Sequence, residues 1–236
     1  TSGNSIKIPY FAAISGNKDF TVTPRLYFNG DLMVQNEFRQ VEKNYENILD
    51  FSFKNMKSAR KSHLFANSKI NFDYSNLEIN IETTSHDTYL KTDNIKAQRN
   101  FSNNIMSNYL NFNMSKEDLD IELEFNIYED LSKTNKSDKF EYIYPNFIIN
   151  KNLTTSLDSV GDLNYQVSGT QRKYETNKTE QLLINDFIFS SKLFFSKFGF
   201  KNDYNLSFKN TNKDGKNSSN YKDELQSDIY SLISLN

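Results

Sequence analysis

Asp118, Asp120, Glu122 and Glu124 place four carboxylates at every second position of one short stretch. On an extended strand they share a face, with neighbours roughly 6.5–7 Å apart. Such a row could hold a divalent cation through oxygen ligands, or supply a general acid and base. It suits equally a solvated polar face offset by nearby Lys or Arg. The two histidines, His63 and His86, fall beside expected loops, where solvated imidazoles are the plainer reading. A Ser-His-Asp centre would have to use one of them, and no G-x-S-x-G elbow is present. The chain has no cysteine, which removes disulfides, thiolate metal sites, cysteine nucleophiles and iron–sulfur clusters. No glycine-rich phosphate loop occurs, so no nucleotide or other cofactor is expected. The 28 basic and 30 acidic side chains nearly cancel, and basic residues never run beyond two. Nucleic acid is therefore not an expected partner. The N-x-S/T sequons match what so Asn-rich a chain yields by chance. No enzyme chemistry is expected.

The elements that must carry these residues follow a period of two, not 3.6. Phe20, Val22, Pro24, Leu26 and Phe28 alternate with Thr21, Thr23, Arg25 and Tyr27, which puts the two sets on opposite faces of a strand. Asn29-Gly30 follows, a pair suited to a type I′ turn. Leu32, Val34 and Phe38 then alternate with Met33, Gln35, Glu37 and Arg39, so residues 20–40 read as a β-hairpin. The same alternation recurs at 49–54, 64–74, 77–82, 119–128, 163–167 and 197–209. Asp214-Gly215 reads as a second hairpin turn. Residues 99–109 and 221–235 allow short helices without a sustained 3.6-residue stripe. Roughly 11–13 strands follow from this pattern, in one continuous antiparallel meander without a linker.

The 236 residues include 20 Phe and 14 Tyr but no Trp, 7 Gly and 3 Pro. No run of about 18 apolar residues exists, which excludes a transmembrane helix but not transmembrane strands. Soluble sandwiches have shorter strands and denser turn signals. Strands of nine or ten residues, uncharged alternate faces and aromatics near strand ends fit an outer-membrane barrel, with the polar face lining a wet lumen. No signal peptide opens the chain. Either the chain is cytosolic, or it is a mature or excised portion of an exported protein; the last residues stop in an apolar stretch without a turn, which reads as a cut, so a fragment is expected.

Residues 8–39 resemble a signature of the lipopolysaccharide-assembly outer-membrane protein (LptD, also OstA or Imp) family, of the form P-Y-[FY]-x-x-I-x-x-N-x-D-x-T-x-T-P-R, a Gly-containing turn, then E-F-R. Pro9, Tyr10, Phe11, Ile14, Asn17, Asp19, Thr21, Thr23, Pro24 and Arg25 match; Gly30 fits the turn, and Glu37, Phe38 and Arg39 supply the triplet. Ser15-Gly16 stands where the family often has Ala-Pro, and Gln40 where an aromatic is common. Weaker echoes are Asp87-Thr88-Tyr89-Leu90 and Tyr144-Pro145-Asn146-Phe147.

The resemblance implies an outer-membrane translocon that inserts lipopolysaccharide into the outer leaflet. It implies a plug lipoprotein inside the barrel and a periplasmic bridge protein docked on an N-terminal jelly-roll that these residues do not include. Residues 1–236 would be a portion of the barrel domain without its final strands. Thr21, Thr23, Arg25, Glu37 and Arg39 would face the lumen, contacting lipopolysaccharide or the plug, or simply bracing the wall. Arg25 and Arg39 could pair with Glu37 or with anionic sugar and phosphate groups. Val22, Leu26, Leu32, Val34 and Phe38 would face lipid. Pro9 and Pro24 would sit where no ladder N–H is needed. Rival readings are a small self-closing diffusion porin or barrel enzyme, and a soluble β-sandwich or solenoid binding module.

Overall fold

The computed structural model describes residues 3–56, 59–95, 104–134 and 137–235. Its elements are β1 (Ser5–Lys7), β2 (Tyr10–Ser15), β3 (Lys18–Tyr27), β4 (Leu32–Val41), β5 (Tyr45–Asn55), β6 (Arg60–Asn71), β7 (Ser75–Thr84), α1 (Tyr89–Thr92), β8 (Ile105–Lys116), β9 (Leu119–Asp130), β10 (Phe140–Leu153), β11 (Gly161–Tyr174), β12 (Thr179–Ser191), β13 (Phe194–Phe195), β14 (Lys201–Asn202), β15 (Tyr204–Lys216) and β16 (Gln226–Leu235). The main sheet has 14 strands in the order β1-β3-β4-β5-β6-β7-β8-β9-β10-β11-β12-β15-β16, with β2 paired to β3 off that path. The fold is the antiparallel all-β meander that the alternation predicts. Close contacts group the chain into two compact units: Thr1–Leu110 with Asn126–Phe140, and Asn111–Phe125 with Glu141–Asn236.

The predicted hairpin forms from β3 and β4, with Leu26 opposite Leu32 and Thr21 opposite Glu37. Its turn differs from the type I′ expectation. The Gly30 N–H donates to the Tyr27 carbonyl at 2.9 Å, the Tyr27 N–H donates to Asp31 O at 3.0 Å, and only Gly30 has a positive φ, of 91°. That is a longer hairpin loop ending in a left-handed glycine. The Asn29 side-chain oxygen accepts the Asp31 N–H at 3.0 Å, so asparagine contributes an Asx turn rather than a positive φ.

The two prolines share one interruption. β1 and β2 lie along the same edge of β3, β1 against residues 25–27 and β2 against 18–22. The Pro24 carbonyl accepts the Ile8 N–H at 3.2 Å, so the side of Pro24 without an N–H faces the break at Ile8-Pro9. No ladder bond is lost there.

Both allowed helices are strands. β8 occupies 105–116, and the rest of the 99–109 window lies outside the described residues, apart from Asn104. In the 221–235 window residues 226–235 form β16, with ten paired positions on β15. Asp214-Gly215 sits inside β15, opposite Gln181 and Glu180; the chain turns after it, where Asn217 takes φ 54°.

Burial is inverted relative to a soluble sheet. In the first unit Leu26, Phe28, Leu32, Phe53 and Ile81 are exposed, with Phe28 at 72%. On the alternate face Arg25, Asp50, Ser52, Lys54, His63, Asn80 and Glu82 are buried. The second unit repeats this: Leu183, Phe187, Leu206 and Phe208 are exposed, while Glu180 and Asp186 are buried.

Candidate functional site

The polar face of the first unit is assembled rung by rung from cross-strand partners. Thr23, Gln35, Ser52, His63 and Thr84 form one rung across β3–β7; Thr21, Glu37, Asp50, Phe65 and Glu82 form the next. The segment after β7 folds over this face as a strap carrying α1. Its Tyr89, Leu90 and Ile95 pack with Tyr27, Met33, Phe65 and Met106 into the buried hydrophobic cluster of this unit.

Two polar clusters hold the strap. In the first, the Asp93 carboxylate accepts from Lys54 Nζ and from the Tyr27 hydroxyl, each at 2.6 Å. Lys54 also lies 3.6 Å from Asp31, and 4.0 Å above the Tyr27 ring. The Arg25 guanidinium donates to the Asp93 carbonyl through Nη1 and to Ser5 Oγ through Nε, the latter at 2.8 Å. Three β-strand side chains thus converge on one strap residue.

In the second cluster, Ser52 Oγ lies 2.8 Å from the Tyr89 hydroxyl and 2.6 Å from His63 Nδ1. His63 Nε2 is 3.1 Å from Asp50, whose oxygens also accept from Gln35 Nε2 at 3.0 and 3.1 Å. One direction of donation satisfies the whole chain: Tyr89 to Ser52, Ser52 to Nδ1, and Nε2–H to the Asp50 carboxylate. Burial pushes the Tyr89 phenol up to about 12, with the Ser52 bond opposing and the Asp93 charge assisting. Tyr89 therefore keeps its proton. His63 corrects the expectation of a solvated loop histidine, because it is a buried member of β6. His86 is an exposed bend residue beside Ser85 Oγ, at 2.9 Å. Ser52, His63 and Asp50 carry the residue types of a nucleophilic triad, but Ser52 has no exposure and its oxygen is taken by Tyr89. A nucleophile needs an open hydroxyl beside oxyanion donors. This geometry clamps the strap.

Lys139 adds a third hold, 2.9 Å from Asp87 on the strap and 3.0 Å from Glu129 on β9. Burial alone would lower its pKa; the hydrogen bonds and charges of both carboxylates outweigh this and raise it.

Of the lumen-facing residues expected from the sequence, Thr21, Thr23, Arg25, Glu37 and Arg39 do share one face. Arg25 reaches the strap rather than Glu37. Arg39 sits 2.9 Å from Asp19 and 3.5 Å from Glu37. It borders a groove with Phe11, Lys18, Asp19, Glu46 and Ile48, where acidic groups match the basic ones. The carboxylate row lies on β9 and the turn before it. Asp120 accepts from Ser115 Oγ at 2.6 Å and Glu124 from Asn146 Nδ2 at 2.9 Å. Among the described residues no group of three His, Cys, Asp or Glu side chains is arranged to hold a metal ion.

No protein-family model matches this chain, and no curated protein matches it.

Proposed function

We propose that this chain is part of the wall of an outer-membrane β-barrel that inserts lipopolysaccharide into the outer leaflet of a Gram-negative envelope. One observation carries the membrane reading: large apolar side chains on the exposed face, with Arg25, Asp50, Lys54, Asn80 and Glu82 buried on the other. In water that arrangement exposes the surface whose burial should drive folding. Against lipid it is the stable one, with the polar face toward a wet lumen. Strands β3 to β12 hold 10 to 14 residues, enough to span the hydrocarbon when tilted. Among the described residues no helix is long and apolar enough to cross a membrane.

In the first unit the connections at 16–17, 42–44 and 72–74 are short; at the other end 28–31 and 56–59 are short too, and 85–104 and 131–139 are longer. The strap covers Arg25 and Lys54 at the end of the wall where Ser5 pairs with Tyr27.

The lipopolysaccharide assignment is supported by the motif Pro9, Tyr10, Asn17, Asp19, Pro24, Gly30, Glu37, Phe38 and Arg39. In this reading a plug lipoprotein and a periplasmic bridge protein are the partners, and Thr21, Thr23, Glu37 and Arg39 offer hydrogen bonds to passing sugar and phosphate groups. An antibody against residues 20–40 tests both levels on fractionated membranes of the source cell. A band in the outer membrane far above 27.6 kDa is expected. One near 27.6 kDa favours a small self-closing barrel, and a soluble band overturns the membrane reading. Depleting the protein should leave lipopolysaccharide beyond the reach of surface labelling.

A further inference from the structure

The second unit carries a small ribbon that its strand ladder does not require. Between β12 and β15 the chain pairs Phe194 with Asn202 and Phe195 with Lys201 as a separate two-stranded hairpin. The hairpin is closed by its own bonds: Ser196 N–H to Phe200 O at 2.8 Å, Gly199 N–H to Ser196 O at 2.9 Å, and Phe200 N–H to Ser196 Oγ at 3.0 Å. Gly199 takes φ 82°, which fixes the turn.

This ordered backbone displays Leu193, Phe194, Phe195, Phe198 and Phe200 to the outside, with Phe198 at 88%. Phe194 and Phe195 are adjacent, hence on opposite faces of the ribbon, and both are exposed. Phe194 leans toward Tyr204 and stays 43% exposed, whereas Phe195, Phe198 and Phe200 are each at least 68% exposed. An isolated two-stranded hairpin is marginal in water, and so many bare phenylalanines on it call for a non-aqueous contact. Residues 192–203 also hold Lys192, Lys197 and Lys201 against the single acid Asp203. Phenylalanine interleaved with lysine is the chemistry of an interface between acyl chains and anionic headgroups. The ribbon also continues the exposed apolar band of its unit. The Phe194 ring lies 6.3 Å from that of Tyr204, which opens β15 opposite Leu235, with exposed Leu206 and Ile233 two positions on.

We infer that the hairpin 192–203 is a membrane-surface anchor that seats its phenylalanines in the interfacial layer of a bilayer with anionic headgroups at the end of the strand wall. This rests on the exposed faces being lipid-facing, as proposed above. The chain has no tryptophan, so a single introduced one reports its own surroundings. The whole chain carrying Phe198→Trp, and separately Phe187→Trp on the exposed mid-strand face of β12, would be reconstituted into phosphatidylcholine vesicles with and without phosphatidylglycerol. Quenching by lipids brominated at shallow and deep positions would be compared with quenching by aqueous iodide.

For the Phe198→Trp chain the expected result is blue-shifted emission, quenching by shallow bromines, and a larger effect when phosphatidylglycerol is present. Deep quenching at position 187 with water-like emission and iodide quenching at 198 overturns the anchor and leaves the wall reading standing. Shielding of 198 from both quenchers means a protein surface covers the hairpin, which also overturns it. If neither position is quenched by lipid, the wall reading falls and the anchor with it.

Discussion

Lys54 and Asp93, 39 positions apart in sequence, meet with Nζ 2.6 Å from Oδ1 and with side-chain exposures of 1% and 0%. Both charges would be costly to bury alone, and removing one partner of such a pair costs about 3–5 kcal/mol. The pair therefore pins the strap to the polar face of β5. Asp93→Leu and Lys54→Met should each strip amide-exchange protection from residues 85–95. The double variant should lose less than the sum of the two. Unchanged protection in Asp93→Leu would show that the apolar cluster of Tyr89, Leu90 and Ile95 holds the strap without help.

Ser52 links the strap's Tyr89 to His63 and Asp50, so Ser52→Ala leaves the His63 Nδ1 and the Tyr89 hydroxyl short of a partner. The expected loss is about 1–3 kcal/mol of stability in denaturant unfolding. A fluorophosphonate probe should fail to label Ser52 in the folded chain, because its oxygen is buried beneath Tyr89. Labelling at Ser52 would restore a nucleophilic role and overturn the clamp.

Strand faces were legible in the sequence because alternation needs no knowledge of partners: Asp50, Ser52 and Lys54 already stood opposite Leu49, Phe51 and Phe53. The meeting of Ser52 with His63 was not, because it depends on the β5–β6 register. A slip by one residue there would turn His63 to the other face. The strap was illegible for a second reason. Its residues carry no periodicity, and Asp93 acquires its meaning from Arg25, Tyr27 and Lys54, which come from β3 and β5. Residues 221–235 were ambiguous, allowing a short helix without a sustained 3.6-residue stripe, and pairing with β15 decides for strand β16.

Alkaline pH should loosen the strap. An unfolded tyrosine gives up its proton near pH 10, whereas burial holds the Tyr89 proton to about 12. The stability linked to that proton is whole below about pH 10 and is lost as pH rises through about 12. Lys139, raised by Asp87 and Glu129, acts in the same direction, its contribution fading as it deprotonates. Comparison with Tyr89→Phe isolates the phenol: the stability gap between the two proteins should change across this range. A constant gap would mean that Tyr89 titrates as it does in the unfolded chain.

In the second unit a Cβ on Gly161 would lie 2.5 Å from the Phe189 ring and 2.5 Å from the Ser190 carbonyl oxygen. The ring can swing away, but a ladder carbonyl cannot without breaking the β11–β12 pairing. Gly161→Ala should therefore cost about 1–3 kcal/mol, as overpacking does elsewhere. The urea midpoint would measure it. Gly16→Ala meets nothing within 4 Å and serves as the control. Equal midpoints for the two variants would place Gly161 in a looser setting than the strand register gives it.

Val34 tests the lipid-facing assignment most directly. It pairs with Pro24 and with the exposed Phe53, whereas Thr23 pairs with Gln35 on the opposite face. A lysine at Val34 puts an ammonium into hydrocarbon, costing roughly 2–4 kcal/mol near the bilayer midplane. A lysine at Thr23 enters the polar side and can reach water or a carboxylate. In a membrane-insertion assay Val34→Lys should impair assembly and Thr23→Lys should be close to neutral. If the order were reversed, the apolar face would be the inside of a soluble sheet, and the exposed Leu26, Phe28 and Phe53 would await a protein partner instead of lipid. Normal assembly of Val34→Lys would equally argue against the face assignment, since neither Pro24 nor Phe53, its neighbours at that rung, offers the charge a partner.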